Sequence, residues 1–236
     1  MTHRFFVEGP IGDHALLQGE RAHQIATVLR LEPGEVIALV WDGIEAIVVL
    51  ETVAPHEVSG RVREKRKIAD TEPRVELTLA LPLLRGERSE EVIEAVTQLG
   101  VSTIVPFVSA RSVVRTLSKA KLERWTRIAR ESAETARRGR VPAIEDLADW
   151  DALFDRLAPP VIVPWEGEAL KTLGEALPAT IKTLSLVIGP EGGIGPDEIR
   201  LAREKGATTV TLGRRNLRSE TAAIATVAQV MAIVER

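Results

Sequence analysis

Cysteine does not occur among the 236 residues. Disulfide bridges, thiolate metal sites and a catalytic thiol are excluded with it. Long apolar runs are missing too: no stretch approaches the roughly 18 uncharged apolar residues that a membrane span needs. The opening segment, MTHRFFVEGPIGDH, has no apolar run of the kind found in a secretion signal. These absences make a cytoplasmic protein, away from the membrane, the expectation. Two nucleotide signatures are also lacking. There is no GxxxxGK(S/T), which argues against a nucleoside triphosphatase. No GxGxxG follows the apolar run at residues 75–81, which argues against an ordinary dinucleotide fold. No internal repeat and no low-complexity segment is found. The four histidines, His3, His14, His23 and His56, all lie early in the chain, and no metal site is evident.

What is present is ordinary globular material. Hydrophobic residues make up 44% and charged residues 28%, enough to bury a core over one large domain or two smaller ones. The net charge of −3 hides an uneven distribution. Residues 111–140 hold ten lysines and arginines against three acids, Glu123, Glu131 and Glu134. Arg214, Arg215 and Arg218 form a second cluster. Such runs are either solvated helix faces or local positive potential that attracts polyanions. Because both clusters flank other motifs, the two readings carry equal weight.

The periodicity changes along the chain. Residues 35–40 and 44–53 are short β-branched runs joined by Trp41-Asp42-Gly43, a hairpin signal. Several short strands in about seventy residues predict a barrel or compact sheet. The charged segment at residues 61–73 ends in Pro73 and marks a boundary between a first domain at 1–70 and a second at 74–236. Beyond it, strands and helices alternate. Strands are expected at 75–81, 102–108, 161–163, 184–188 and 208–212. Helices are expected at 89–99, from Ser118 to Gly139, from Pro196 to Gly206, and at 221–234. Repeated βα units imply a mostly parallel sheet with helices on both faces.

Two loops carry the chemistry. IGPEGGIGPDE, residues 188–198, runs from a strand through a glycine-rich turn into a helix. Glycines let a ligand approach the main chain, and ligands of parallel sheets sit beyond the carboxyl ends of strands. LGRRNLRSETA, residues 212–222, leaves the next strand with three arginines, whose planar forks suit phosphate or a carbonyl gaining charge. Ser219 or Glu220 is positioned to cap the helix that follows. That helix, TAAIATVAQVMAIV, is apolar nearly all round and therefore expects burial on all sides, by a partner subunit or by the protein interior.

These residues resemble the SPOUT class of methyltransferases and, within it, the ribosomal RNA small subunit methyltransferase E family, which methylates N3 of a uridine in 16S rRNA. The resemblance runs through RFFV at 4–7, HQIATVLRLEPGE at 23–35, LLRGERSE at 83–90, TQLGVSTIVPFVSARSVVR at 97–115, ERWTRIARESAETARRGRVP at 123–142, IGPEGG and LGRRNLRSETA. It implies an α/β domain whose last two loops fold through each other as a trefoil knot, preceded by a small PUA-like β-barrel that holds RNA. Four positions depart from the family pattern: Ser89, Gln98, Thr135 and Arg215.

The resemblance also implies a site. S-adenosylmethionine would be held by Ile188, Gly189, Pro190, Glu191, Gly192 and Gly193 of one loop and by Leu212, Gly213, Leu217 and Arg218 of the other. Trp165 and Glu166 would border its adenosine. Arg218, Arg138 and Arg85 are candidates to stabilise charge on the uridine carbonyls. Glu220 is either the group that removes the N3 proton or a helix cap. Arg4, His23, Arg30, Arg111, Arg115, Arg138 and Arg140 are candidates to contact 16S rRNA. A homodimer through the final helix is expected, with Ile224 and Val227 in its interface. Two other readings stay open: a methyltransferase of the same class acting on another RNA or base, and an inactive RNA-binding relative.

Overall fold

The computed structural model describes residues 2–68, 71–178 and 180–235. The chain forms two compact units. One is Met1–Glu72 with Arg137–Arg140, the other Pro73–Ala136 with Val141–Arg236.

The first unit contains strands β1 (His3–Phe6), β2 (His14–Gln18), β3 (Val36–Trp41), β4 (Ile44–Ala54) and β5 (Glu57–Lys67). A short helix α1 (Glu20–His23) follows β2 and runs into a π turn at Gln24–Val28. The sheet order is β1-β3-β4-β5-β2, with β1 parallel to β3 and the remaining pairs antiparallel. The β3–β4 hairpin turns at Asp42 and Gly43, both at positive φ, as a two-residue turn between twisted strands requires. Register breaks between β4 and β5 at Ile47/Val48 and Leu50/Thr52 bend the sheet. Its apolar face buries Phe5, Ile25, Ile37, Leu39, Trp41 and Val48 together.

The opposite face carries an ion network. Glu45 accepts from Arg4 at 2.9 Å and from Arg66. Glu72 accepts from the Arg138 guanidinium at 2.7 Å and from the Gly139 N–H at 2.8 Å. Arg4 also donates to the carbonyl of Arg138. Burial acts to raise the Glu45 carboxyl, but hydrogen bonds and charge from Arg66 and Arg4 outweigh it and hold the group below its usual range.

In the second unit β6 (Glu76–Pro82) leads to α2 (Arg88–Gln98), β7 (Thr103–Val108) and α3 (Lys119–Thr135). Two short strands follow, β8 (Ala143–Ile144) and β9 (Ala148–Asp149), and then α4 (Trp150–Leu153). After β10 (Val161–Pro164) come α5 (Leu173–Ala176), β11 (Thr183–Val187), α6 (Pro196–Glu204), β12 (Thr208–Val210) and α7 (Ser219–Val234). The sheet order is β12-β10-β11-β6-β7-β8, with β9 also on β7, and every pairing is parallel. Side chains alternate between two cores. Leu77, Leu79, Ile104, Ile162 and Leu186 join Val92, Trp125 and Val227 from α2, α3 and α7. Ala80, Val105, Phe107, Val163 and Val187 join Leu153 and Ile199 from α4 and α6. Apolar residues therefore occupy both sides of each strand, as a sheet covered on both faces demands. No helix among the described residues is long and apolar enough to cross a membrane.

Three details differ from the sequence expectation. Helix α3 stops at Thr135, not Gly139. Glu72 collects the Arg138 side chain and the N–H groups of Gly139 and Arg140, and these bonds pull residues 137–140 into the first unit before the glycine is reached. Helix α7 begins at Ser219, with Arg218 at its N-cap and no side-chain cap, so neither Ser219 nor Glu220 caps it. Its Val227 is fully buried within the protomer, so Val227 cannot face a partner. The four short elements β8, β9, α4 and α5 had no periodic signal because each spans at most four residues.

Candidate functional site

Three strands of the second unit end at one cavity of about 850 Å³. Pro164, Trp165 and Glu166 come from the end of β10, residues 188–193 from the loop after β11, and residues 211–218 from the loop after β12, which leads into Ser219 of α7. Arg88 of α2 and Ala222 of α7 complete the lining. The volume lies within the range of small-molecule sites. Every residue named above for the S-adenosylmethionine site lines this cavity.

The glycine loop is shaped by close approach. Gly193 has φ +72, donates to the Pro190 carbonyl at 2.9 Å, and would place a Cβ 2.5 Å from Glu166 Oε1. A Cβ on Gly192 would stand 2.9 Å from both the Cβ and the carbonyl oxygen of Arg111. Arg111 also donates to the Gly192 carbonyl at 3.2 Å. The loop between β7 and α3 thus lies against the glycine loop. Glu198 strengthens the link by accepting from the N–H groups of Ala110 at 2.8 Å and Gly195 at 2.9 Å.

The Trp165 wall is held from behind. Its indole N–H donates to the Ile194 carbonyl at 3.2 Å, and Arg203 stacks 5.6 Å from its ring centroid. Arg203 donates to Thr209 Oγ1 at 2.8 Å, and Thr209 donates to Glu168 at 2.9 Å. The Leu170 N–H, then the Thr209 hydroxyl and the Lys171 N–H, hold the Glu168 carboxyl below its usual range.

Charge divides the cavity. Arg214, Arg215 and Arg218 are exposed and, among the described residues, make no ion pair. On the other side Glu191 accepts from the Arg85 N–H at 3.1 Å and lies 3.8 Å from Arg88. Arg88 is also 3.8 Å from Glu220, whose Oε2 is buried without a hydrogen-bond partner among the described residues. Among the described residues no group of three or more acids and histidines is arranged to hold a metal.

The remaining candidates fall in different places. Arg85 is exposed beside the glycine loop but does not line the cavity. Arg111 and Arg115 are exposed on the loop after β7, with Arg115 bonded to the Ser109 carbonyl at 3.0 Å. His23, Arg30 and Arg140 are exposed on the first unit. Two expectations need correction. Arg138 is 2% exposed, belongs to the first unit and is ion-paired with Glu72, so its guanidinium is a structural group there. The Arg4 side chain is 7% exposed and tied to Glu45, which removes it from any phosphate-contacting surface.

Arg88 was missed, although RGERSE was singled out, because only the fold shows which arginine of that segment turns inward. Arg214, Arg215 and Asn216, legible in the sequence only as part of the arginine loop, also line the cavity. Two of the unusual positions lie elsewhere: Gln98 and Thr135 line a groove between α2 and α3. Ser89 is fully buried and accepts from the Leu84 N–H at 3.1 Å, which explains a hydroxyl at that point.

Residues 71–231 match the RNA methyltransferase domain family. The ribosomal RNA small subunit methyltransferase E of Bacillus subtilis is 34% identical over 87% of this chain and 85% of its own length. That of Mycobacterium bovis is 31% identical over 95% and 88%. The crystal structure of ribosomal RNA small subunit methyltransferase E from Neisseria gonorrhoeae, bound to S-adenosyl methionine, superposes with a TM-score of 0.90 at 26% identity, covering 99% of this chain and 98% of that one. Identity of this extent over nearly full length, joined to the same fold, establishes that the chain belongs to the ribosomal RNA small subunit methyltransferase E family.

Proposed function

We propose that this protein transfers a methyl group from S-adenosylmethionine to N3 of a uridine in 16S rRNA of the small ribosomal subunit. The observation that carries the reading is the cavity where the glycine loop and the arginine loop meet. Its size, its glycine-lined main chain and its mixed charge fit a nucleoside with an amino-acid tail. When bound, S-adenosylmethionine supplies a methyl group already activated on a sulfonium.

The chain's own residues have the remaining tasks. The backbone of residues 188–193, Leu212, Gly213 and Leu217 cradles the cofactor, with Trp165 and Glu166 as its wall. Removal of the N3 proton leaves negative charge on the neighbouring uridine carbonyls. Arg218, at the N-cap of α7 and without an ion pair among the described residues, stabilises that charge, with Arg85 as a second candidate. Glu220 accepts the proton: among the described residues its buried Oε2 has no hydrogen-bond partner to compete for it. Arg111 and Arg115 on the second unit, and His23, Arg30 and Arg140 on the first, contact RNA.

Three structural readings accompany this one. The loops after β11 and β12 form a trefoil knot. The first unit is a PUA-like RNA-binding barrel. The protein works in the cytoplasm as a homodimer through the outer face of α7, where Thr221, Gln229, Ala232 and Ile233 are exposed. Mass mapping of modified nucleosides in 16S rRNA from a strain lacking the gene tests the function. Loss of one N3-methyluridine is expected, and an unchanged map overturns it.

A further inference from the structure

Arg88 opens α2 and carries the only cation within ion-pair distance of Glu191 and of Glu220 among the described residues. Both contacts are 3.8 Å, too long for good hydrogen bonds, so the interaction is one of charge more than of directed bonding. Neither carboxylate is free to leave. Glu191 Oε1 is anchored by the Arg85 N–H, and Glu220 is buried at one oxygen. The trio therefore carries one net negative charge, and without Arg88 it would carry two. Arg214, Arg215 and Arg218 line the same cavity, but among the described residues none of them is within ion-pair distance of either carboxylate.

We propose that Arg88 sets the charge balance of this cavity and thereby its preference between the sulfonium cofactor and the neutral thioether left after methyl transfer. The proposal rests on the cofactor reading above. S-adenosylmethionine and S-adenosylhomocysteine share adenosine, ammonium and carboxylate, and differ in the methyl group and in the charge on sulfur. Their affinity ratio thus reports the cavity's potential at that sulfur. With Arg88 in place one of the two negative charges is offset, and the sulfonium is held less tightly in the ground state than it would be without that arginine. A stronger hold there would slow transfer, because the positive charge on sulfur disperses as the methyl leaves.

Calorimetric titration of the purified protein with each ligand at low salt tests this. Arg88→Gln should raise the S-adenosylmethionine to S-adenosylhomocysteine affinity ratio about fivefold, the effect of one charge at several ångströms in a partly solvated site. Glu191→Gln should lower the ratio. Arg88→Lys should leave it within about twofold, since the charge stays while the planar fork is lost. In steady state Arg88→Gln should lower KM and kcat together. An unchanged ratio in a folded Arg88→Gln protein overturns the proposal, as does a lysine variant that behaves like the glutamine one. If Arg88→Gln does not fold, an unchanged ratio in Glu191→Gln overturns it instead. A wild-type protein that binds neither ligand overturns the cofactor reading itself, and this inference with it.

Discussion

Gly192 has no side chain because Arg111 stands where one would go. From the sequence its glycine character read as room for a ligand, whereas the structure gives a nearer cause in the approach of a neighbouring loop. Gly192→Val should therefore push the glycine loop off Arg111, cost on the order of 1–3 kcal/mol of stability, and abolish cofactor binding. A thermal melt with calorimetry checks both. Arg218→Ala should leave cofactor affinity within a few-fold while lowering kcat by about a hundredfold, as expected for a group that acts on transition-state charge. Equal losses in single-turnover rate and affinity would make Arg218 a cofactor-binding residue only. Arg138→Ala should behave in the opposite way. It strips Glu72 of its guanidinium partner and should destabilise the protein by about 2 kcal/mol, less than a fully buried pair because Glu72 keeps some water. Cofactor affinity of the folded variant should not change. The sequence placed these two arginines together as catalytic candidates, since residue type and local charge are the same for both. Arg138 has a partner sixty-six residues away in Glu72, whereas Arg218 makes no ion pair among the described residues, and that difference separates them.

At the level of elements the legible parts were those with a repeating pattern. The runs at 75–81 and 102–108 and the apolar spacing of Val92, Val96 and Leu99 emerged as β6, β7 and α2 within a residue or so. Ser118 caps α3 as its position suggested, accepting from the Lys121 N–H at 3.2 Å. The end of α3 was not legible, because the bonds that stop it come from Glu72. Helix α7 shows the same limit. Its uniform apolarity conceals which face packs inward, and the structure assigns Ala223, Thr226, Val227, Val230 and Met231 to the core. Val227→Asp should therefore unfold the protomer, while Ile233→Asp should leave its stability intact. Among the strands, Glu45 on β4 makes the first unit sensitive to acid. Its folded carboxyl is lowered, so its stabilising contribution is complete above the ordinary carboxylate value of 4.5 and is lost as the pH falls through the lower folded value. Thermal melts below pH 4.5 should show this loss, and Glu45→Gln should reduce the pH dependence while lowering stability at neutral pH.

For the whole molecule, the acidic net charge and the exposed arginines make opposite forecasts about RNA. Local potential governs contact at close range, because a Debye length of about 8 Å at physiological salt screens the distant acids. Affinity for 16S rRNA should consequently fall steeply with salt, by roughly 0.7 in the log–log slope per phosphate contacted for single strands. A filter-binding series from low to moderate salt measures it, and a flat response would leave these arginines as solvated surface. Light scattering of the wild type and of Ile233→Asp tests the dimer: a monomeric wild type that still methylates RNA removes the interface. The sequence by itself determined the chemistry available to this protein. Absent cysteines, alternating βα periodicity and two polar loops at strand ends are local properties, expressed within a few residues of where they are written. Only the tertiary structure decided which groups act together. Arg88 meets Glu191 and Glu220 across more than a hundred residues of chain, and Arg138 meets Glu72 across sixty-six. Such pairings depend on how the strands are ordered and where the chain crosses between them, and no local pattern encodes that order.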